Sequence, residues 1–190
     1  MDESILIDRL KQKDNSAFKE IVDTWQKMVF NTVLNIIQNI EDAEDVAQDV
    51  FMQVHESIGN FKGESKLSTW LYRISVSKAM DYLRRKKTKK RFAFVQSLFG
   101  KNDELSHDPP DFFHPGIIAE KKDDAVALFK ALSTLPPNQN TAFVLNKIQG
   151  LNYQEVSDVM KLSVSAVDSL LQRAKTNLRK YLQNYYEHNF

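Results

Sequence analysis

The chain has 190 residues, 42% of them hydrophobic, with 26 basic against 25 acidic side chains and a formal net charge of +1. That suits one or two modest domains with ordinary apolar cores, and no apolar run approaches the roughly 18 residues of a membrane span. The opening MDESILIDRLKQKDNSAF lacks the basic-then-apolar order of a secretory signal, and the lack of cysteine removes disulfides and thiolate metal sites, so a soluble cytoplasmic protein is expected.

Period counting favours helices throughout. A short helix is expected around Ile5–Lys11. Phe18, Ile21, Val22, Trp25, Val29, Val33, Ile36 and Ile37 recur every three or four residues and mark a long one from about Asn15 to Gln38. Ala43, Val46, Ala47, Val50, Phe51 and Val54 mark another, ending near Gly59. A polar stretch, FKGESKLS, separates it from a basic helix over about Thr69–Lys87. From Phe92 to Asp124 the periodicity fails. GKNDELSHDPPDFFHPG holds three prolines and two glycines, too many breakers for an internal helix, and reads as a linker. Phe92, Phe94, Phe99, Phe112 and Phe113 make it more apolar than a plain tether, which suggests that some of it docks on a surface.

Helical patterning resumes at Asp123–Ser133, then from Pro137, well placed at a first helical position, to Lys147. Gly150 can end that helix in the left-handed conformation. Asn152 can cap the next, Tyr153–Met160, with Glu155 completing a capping box. Ser163 or Ser165 can cap the last, whose apolar face is Val167, Leu171, Ala174, Leu178 and Leu182. Two helices joined by a short turn, the second carrying bases off its apolar face, describe a helix-turn-helix.

The near-neutral total hides segregation. Glu41–Asp49, EDAEDVAQD, holds five acids and no base, whereas Trp70–Arg91 holds nine bases against one acid. Within the latter, RRKKTKKR places seven positive charges in eight residues. Ser169–Leu182 adds four bases and no acid. Such blocks suggest more than one charged partner, an anionic polymer among them. Taken alone, the basic run is equally a solvated helix end, and the acidic block reads first as a solvated face.

Three segments, DAEDVAQDVFMQV, FKGESKLSTWLYRISVSKAMDYLRR and LPPNQNTAFVLNKIQGLNYQEVSDVMKLSVSAVDSLLQRAKTNLRK, occur in that order with a linker before the last. Together they resemble the extracytoplasmic-function sigma factors, the smallest class of the sigma-70 family. The resemblance covers nearly the whole chain outside the linker. It implies an all-α fold, with a region-two domain over 1–91, a linker over 92–122 and a helix-turn-helix region-four domain over 123–190. It also implies a promoter-specificity subunit of bacterial RNA polymerase without a catalytic site or cofactor. The implied partners are the polymerase core, promoter DNA and an anti-sigma factor, with no insertion of this chain into a membrane.

The resemblance carries site residues too. In the family, the segment matching DAED…Q docks on the clamp helices of the polymerase's largest subunit, which points to Asp42, Glu44, Asp45, Gln48 and Asp49. The loop matching FKGESKLS captures a base flipped from the minus-ten element, and the following helix lies along the same DNA. This points to Phe61, Lys62, Gly63, Ser65, Ser68, Thr69, Trp70, Arg73, Ser77, Lys78, Arg84 and Arg85. Ser77 stands where the family usually has Asn, so bidentate base readout is lost there. Lys78 falls inside the stripe of Leu71, Ile74 and Tyr82, and its reading is split between DNA contact and snorkelling. Trp70 reads first as an anchor for the helix and second as a stacking wedge.

For the minus-thirty-five element the matching positions are Ser165, Ala166, Asp168, Ser169, Gln172 and Arg173, with Lys175 on phosphate. Asp168 can accept from a cytosine amino group or cap the helix from Ser165, the latter slightly favoured. Leu170 is expected to pack. Lys161 occupies a turn position frequently Gly in the family, and Asn138 and Asn140 weaken a phosphate clamp in their segment. The free protein is expected to bind DNA poorly, its apposed domains covering both reading surfaces.

No nucleophile–base constellation or glycine-rich phosphate loop argues for an enzyme, and HDPPDFFH matches no established metal-ligand spacing. The competing readings are a stand-alone helix-turn-helix regulator and, more remotely, an RNA-binding protein. The acidic helix separates them, since a direct nucleic-acid binder has no use for an anionic docking face.

Overall fold

The structure, a computed structural model, describes residues 3–99 and 122–189. The linker beyond Phe99, including HDPPDFFH with His107 and His114, lies outside the described residues. Among the described residues there are eight α-helices and no strand. They are α1 (Glu3–Lys11), α2 (Asn15–Ile37), α3 (Ile40–Ser57), α4 (Leu67–Phe99), α5 (Lys122–Ser133), α6 (Pro137–Phe143), α7 (Tyr153–Met160) and α8 (Val164–Asn189). A 3-10 turn, Ile58–Asn60, follows α3, and a π-turn, Val144–Ile148, extends α6.

Local chemistry explains most boundaries. Asp14 caps α2, accepting from the backbone N–H of Ser16 at 2.8 Å and of Ala17 at 3.4 Å. Gln38 ends that helix in the left-handed region, φ 60°. Asn39 then caps α3 through the backbone N–H of Asp42 at 2.8 Å. The basic helix departs from expectation at its end, continuing to Phe99 rather than stopping near Lys87. The first residues assigned to the linker, FAFVQSLF, contain no breaker, and the first glycine is Gly100.

Asp14 also receives Arg9 at 2.9 Å. Bonds from the Ser16 hydroxyl and backbone, then from Arg9, hold its carboxyl down at about 2 against an ordinary 3.8. A depressed carboxylate stabilises the fold above its ordinary value and loses that contribution as pH falls through the folded value. Asp14→Ala is therefore expected to lower the thermal midpoint at pH 7, with the gap to the parent chain closing as pH falls toward 2, read by circular dichroism melts.

The helices α2, α3 and α4 pack side by side, with α1 laid against α2. Their shared interior holds Ile21, Val29, Val33, Val50, Val54, Leu67 and Leu71, each fully buried and each contributing about 1.5–3 kcal/mol. This core does not end at the linker. Ala142, Val144, Leu145, Val156, Val159, Val167 and Leu171 join the same apolar cluster, because α7 lies against α4 while α6 and its π-turn lie against α2. A smaller cluster of Ala131, Leu132, Leu135, Ala174 and Leu178 ties α5 to α8.

Polar groups cross the seam between the two halves as well. Arg73 Nε donates to the Asp158 carbonyl at 2.8 Å, and Gln38 Nε2 to the Phe129 carbonyl at 3.1 Å. Asn140 Nδ2 reaches the carbonyls of Asn35 and Ile36 at 3.4 and 3.5 Å, at the C-terminal end of α2.

Candidate polymerase and nucleic-acid interfaces

Helix α3 buries Ala43, Val46, Val50 and Val54 and leaves Glu44, Asp45, Gln48 and Asp49 exposed on the other side. Asp42 is the exception among the five expected docking residues. It is half-buried and paired with Lys86 of α4, Nζ to Oδ2 at 3.0 Å, while the same ammonium donates to the Tyr82 hydroxyl at 3.1 Å. Burial opposes the Lys86 charge, but the bonds to Tyr82 and Asp42 outweigh it and raise its pKa. Tyr82 is raised too, by burial first and then by Asp42. The Asp42 carboxylate is thus already engaged within the fold.

Beside the acidic face lies an apolar hollow that the sequence reading missed. It is lined by Phe18, Val22, Phe51, Met52 and His55, with Gln48 and Glu56 at its rim. Met52 is 61% exposed, and the His55 ring meets Phe18 edge-on at 5.1 Å. The available signal was Phe51 next to Met52, since adjacent apolar residues cannot both face one helix's core.

At the loop before α4, Phe61 is only 6% exposed, its ring 5.1 Å from that of Trp70. This corrects its assignment to DNA contact, because a buried ring supports Trp70 instead. Trp70 is half-buried and packs against the core. Lys62 and Gly63 are exposed, and Ser65, Ser68 and Thr69 half-buried. Gly63 takes φ +73°, and a Cβ there would meet nothing within 4 Å, so the loop's outer side is open.

Further along α4, Trp70, Arg73 and Ser77 form one wall of a cleft of about 560 Å³. Asn138, Thr141, Val159, Met160 and Lys161 of the C-terminal half form the other. Lys78, half-buried, lines a second groove with Asp81, Arg84, Arg85, Thr88 and Lys89, so its stem is packed while its neighbours are mostly cationic. Arg84 bonds to Asp81 yet its side chain stays 76% exposed. Of the basic run, Arg85, Lys87, Lys89 and Arg91 are also exposed. Most of that charge remains available.

The helix-turn-helix forms as the local rules dictate. Glu155 N–H donates to Asn152 Oδ1 and Asn152 N–H to Glu155 Oε2, both at 2.9 Å. Gly150 takes φ +77°. Lys161 takes φ +54° at the end of α7, the left-handed geometry a glycine would adopt more readily. Ser157 Oγ pins the turn through the Leu162 carbonyl at 2.5 Å. Ser163 Oγ caps α8 by accepting from Ala166 N–H at 3.2 Å. The slightly favoured capping role of Asp168 is therefore corrected, since its carboxylate accepts from Gln172 at 3.4 Å instead. Leu170 is partly buried against the core. Ser165, Ser169, Gln172 and Arg173 are exposed, with Ala166, Asp168 and Lys175 half-buried. The expectation that both reading surfaces are covered is corrected as well, because α8 presents its face to solvent while α4 faces α7.

Two family models match the chain, Sigma-70 region 2 over residues 21–89 and Sigma-70, region 4 over 125–178. RNA polymerase sigma-H factor of Pseudomonas aeruginosa is 28% identical over 178 residues, covering 94% of this chain and 92% of that one. The ECF RNA polymerase sigma-E factor of Escherichia coli K12 is 26% identical over 181 residues, covering 95% and 94%. The chain belongs to the extracytoplasmic-function class of the sigma-70 family. Its fold matches that of CnrH, solved in complex with the cytosolic domain of CnrY, with a TM-score of 0.68 at 20% identity over 96% of this chain and 97% of that one.

As a sigma factor it binds the RNA polymerase core and promoter DNA and directs transcription initiation. Among the described residues no helix of this sigma factor is long and apolar enough to cross a membrane, and no group of three candidate metal ligands occurs. The seam residues Asn35, Gln38 and Asn140 were not singled out as joining the halves. Nothing in their spacing could have done so, because Asn140's acceptors lie 104 and 105 residues away.

Proposed function

We propose that this sigma factor grips the polymerase through Glu44, Asp45, Gln48 and Asp49 and grips the promoter through two separate cationic surfaces. The observation that carries this reading is the division of charge. The exposed acids sit on α3, opposite its buried face, while exposed bases lie along α4 and α8. Carboxylates on α3 steer toward a basic partner and set register, and the Phe51–Met52 hollow supplies apolar area beside them. Region two, over 1–91, holds the docking face and the minus-ten surface. Region four, over 123–190, holds the minus-thirty-five helix.

In the free chain the Trp70–Arg73 stretch of α4 faces α7 while Ser77 is exposed, so binding to the core must separate the halves before Trp70 and Arg73 meet a melted strand. The cost of extruding a base, a few kcal/mol, is offset by the loop around Gly63 and its donors. The protein has no catalytic site of its own and acts in the cytoplasm with the polymerase. The related folds include CnrH with CnrY and the sigma factor RpoE with the anti-sigma factor NepR from Bartonella quintana. An anti-sigma factor is a proposed partner here on that basis.

In vitro transcription with purified core and genomic fragments tests the reading. Promoter-specific transcripts are expected, and tight duplex footprinting without core would favour the stand-alone regulator instead. On a recovered promoter, Lys175→Ala is expected to weaken minus-thirty-five binding uniformly and lower the salt slope by about 1. Gln172→Ala is expected to relax preference at one base pair by about 1–3 kcal/mol, read by competition binding.

A further inference from the structure

Among the described residues no neighbouring side chain caps the start of helix α4. Its first backbone bond runs from Trp70 N–H to the Lys66 carbonyl, so Lys66 stands at the cap position, where a cationic side chain cannot accept a hydrogen bond. The acceptor comes from the far end of the region instead. The Glu3 carboxylate, in the first turn of α1, accepts from Leu67 N–H, 64 residues away. A carboxylate there answers both the orphan donor and the positive end of the helix.

The same short helix also packs on the 3-10 turn Ile58–Asn60, at the other end of the minus-ten loop. α1 is in turn rooted by Leu6 and Leu10, 2% and 3% exposed. It therefore touches both ends of the segment 61–66 without covering the exposed Lys62 and Gly63 between them.

We propose that Glu3 is a positioning residue for minus-ten recognition, fixing the loop between Phe61 and Leu67 by capping α4 from outside it. The inference rests on the reading of that loop as the base-capturing element. A loop pinned at both ends meets an extruded base preorganised, whereas one attached to a fraying helix must first be ordered at the expense of binding. With the carboxylate filling the helix terminus, the phosphate backbone is left to Lys62 and the serine and threonine hydroxyls beyond it.

The test uses full-length chain bound to core polymerase and fork-junction DNA from a recovered promoter, with 2-aminopurine in the non-template minus-ten strand. Glu3→Ala is expected to lower fork affinity and the aminopurine signal about fivefold to tenfold, the scale of a lost cap, with core affinity unchanged. Glu3→Gln, which keeps the acceptor, is expected to stay within about twofold. Glu3→Ala combined with Lys66→Ser, which restores a local cap, is expected to recover most of the loss.

If Glu3→Ala binds the fork normally while Gly63→Val does not, the inference is overturned and the loop reading stands. If neither variant changes fork binding, the loop reading fails and takes the inference with it. A Glu3→Ala defect that tracks a falling thermal midpoint and is not recovered by Lys66→Ser also overturns it, as a general loss of stability.

Discussion

The double substitution Asp45→Lys, Asp49→Lys is expected to weaken capture of core polymerase by about a hundredfold or more, with little change in thermal midpoint. Both side chains are exposed, and neither forms an ion pair within the described residues. The fold therefore does not depend on them, and a surface change of this kind usually moves stability by less than about 0.5 kcal/mol. Across an interface the situation differs. Close charge pairs there couple by about 1.5–7 kcal/mol, and reversing a charge converts attraction into repulsion. Two reversals worth about 1.4 kcal/mol each already reach a hundredfold.

Asp42 provides the internal comparison. Its carboxylate is engaged by Lys86, so Asp42→Asn is expected to cost far less core affinity than either reversal. Equilibrium titration of labelled core measures all of these. Unchanged affinity in the double variant would remove α3 from the docking role and leave its acids as a solvated face.

What the sequence disclosed follows the range of the interactions involved. The capping box of Asn152 and Glu155, the left-handed Gly150 and the Pro137 helix start all depend on neighbours within a few residues, and all formed as expected. The exposed acids of α3 were equally legible, because the helical period alone separates Asp45 and Asp49 from Val46 and Val50. The end of α4 was misplaced because amphipathic periodicity weakens where a helix leaves the core, although FAFVQSLF can continue a helix until Gly100.

Phe61, Glu3 and Asn140 mark the opposite limit. Phe61 sits in an irregular loop, where no period says which way a ring turns. Glu3 and Asn140 act on partners 64 to 105 residues away, and only the folded arrangement brings them together. Asp168 failed differently. Two serines within three residues offered alternative caps, and the choice of Ser163 put Asp168 beyond the capping position.

Cysteines placed at Ser77 and Asn138 and joined by a short reducible linker are expected to lower promoter-specific transcription at least about tenfold, with activity returning on reduction. The chain has no native cysteine, so the bridge is unambiguous. Both positions line the cleft between α4 and the C-terminal half, and holding them together keeps Trp70 and Arg73 against α7. Without the bridge the seam can open, and its chemistry shows why. Asn35 and Asn140 are both buried, and among the described residues the Oδ1 atom of each has no hydrogen-bond partner. The Asn140 bonds that do form are long, at 3.4 and 3.5 Å. Asn140→Leu would leave the buried Asn35 and Ile36 carbonyls without their donor, so it is expected to loosen the seam and to raise transcription at limiting core rather than lower it. Both effects follow from one relation, since a protein whose binding-competent state is rarely populated binds more weakly by that fraction. Transcription at parental rates by the bridged chain, relative to the same chain unbridged, would mean that α4 does not have to leave α7, and that the minus-ten strand is read on some other face.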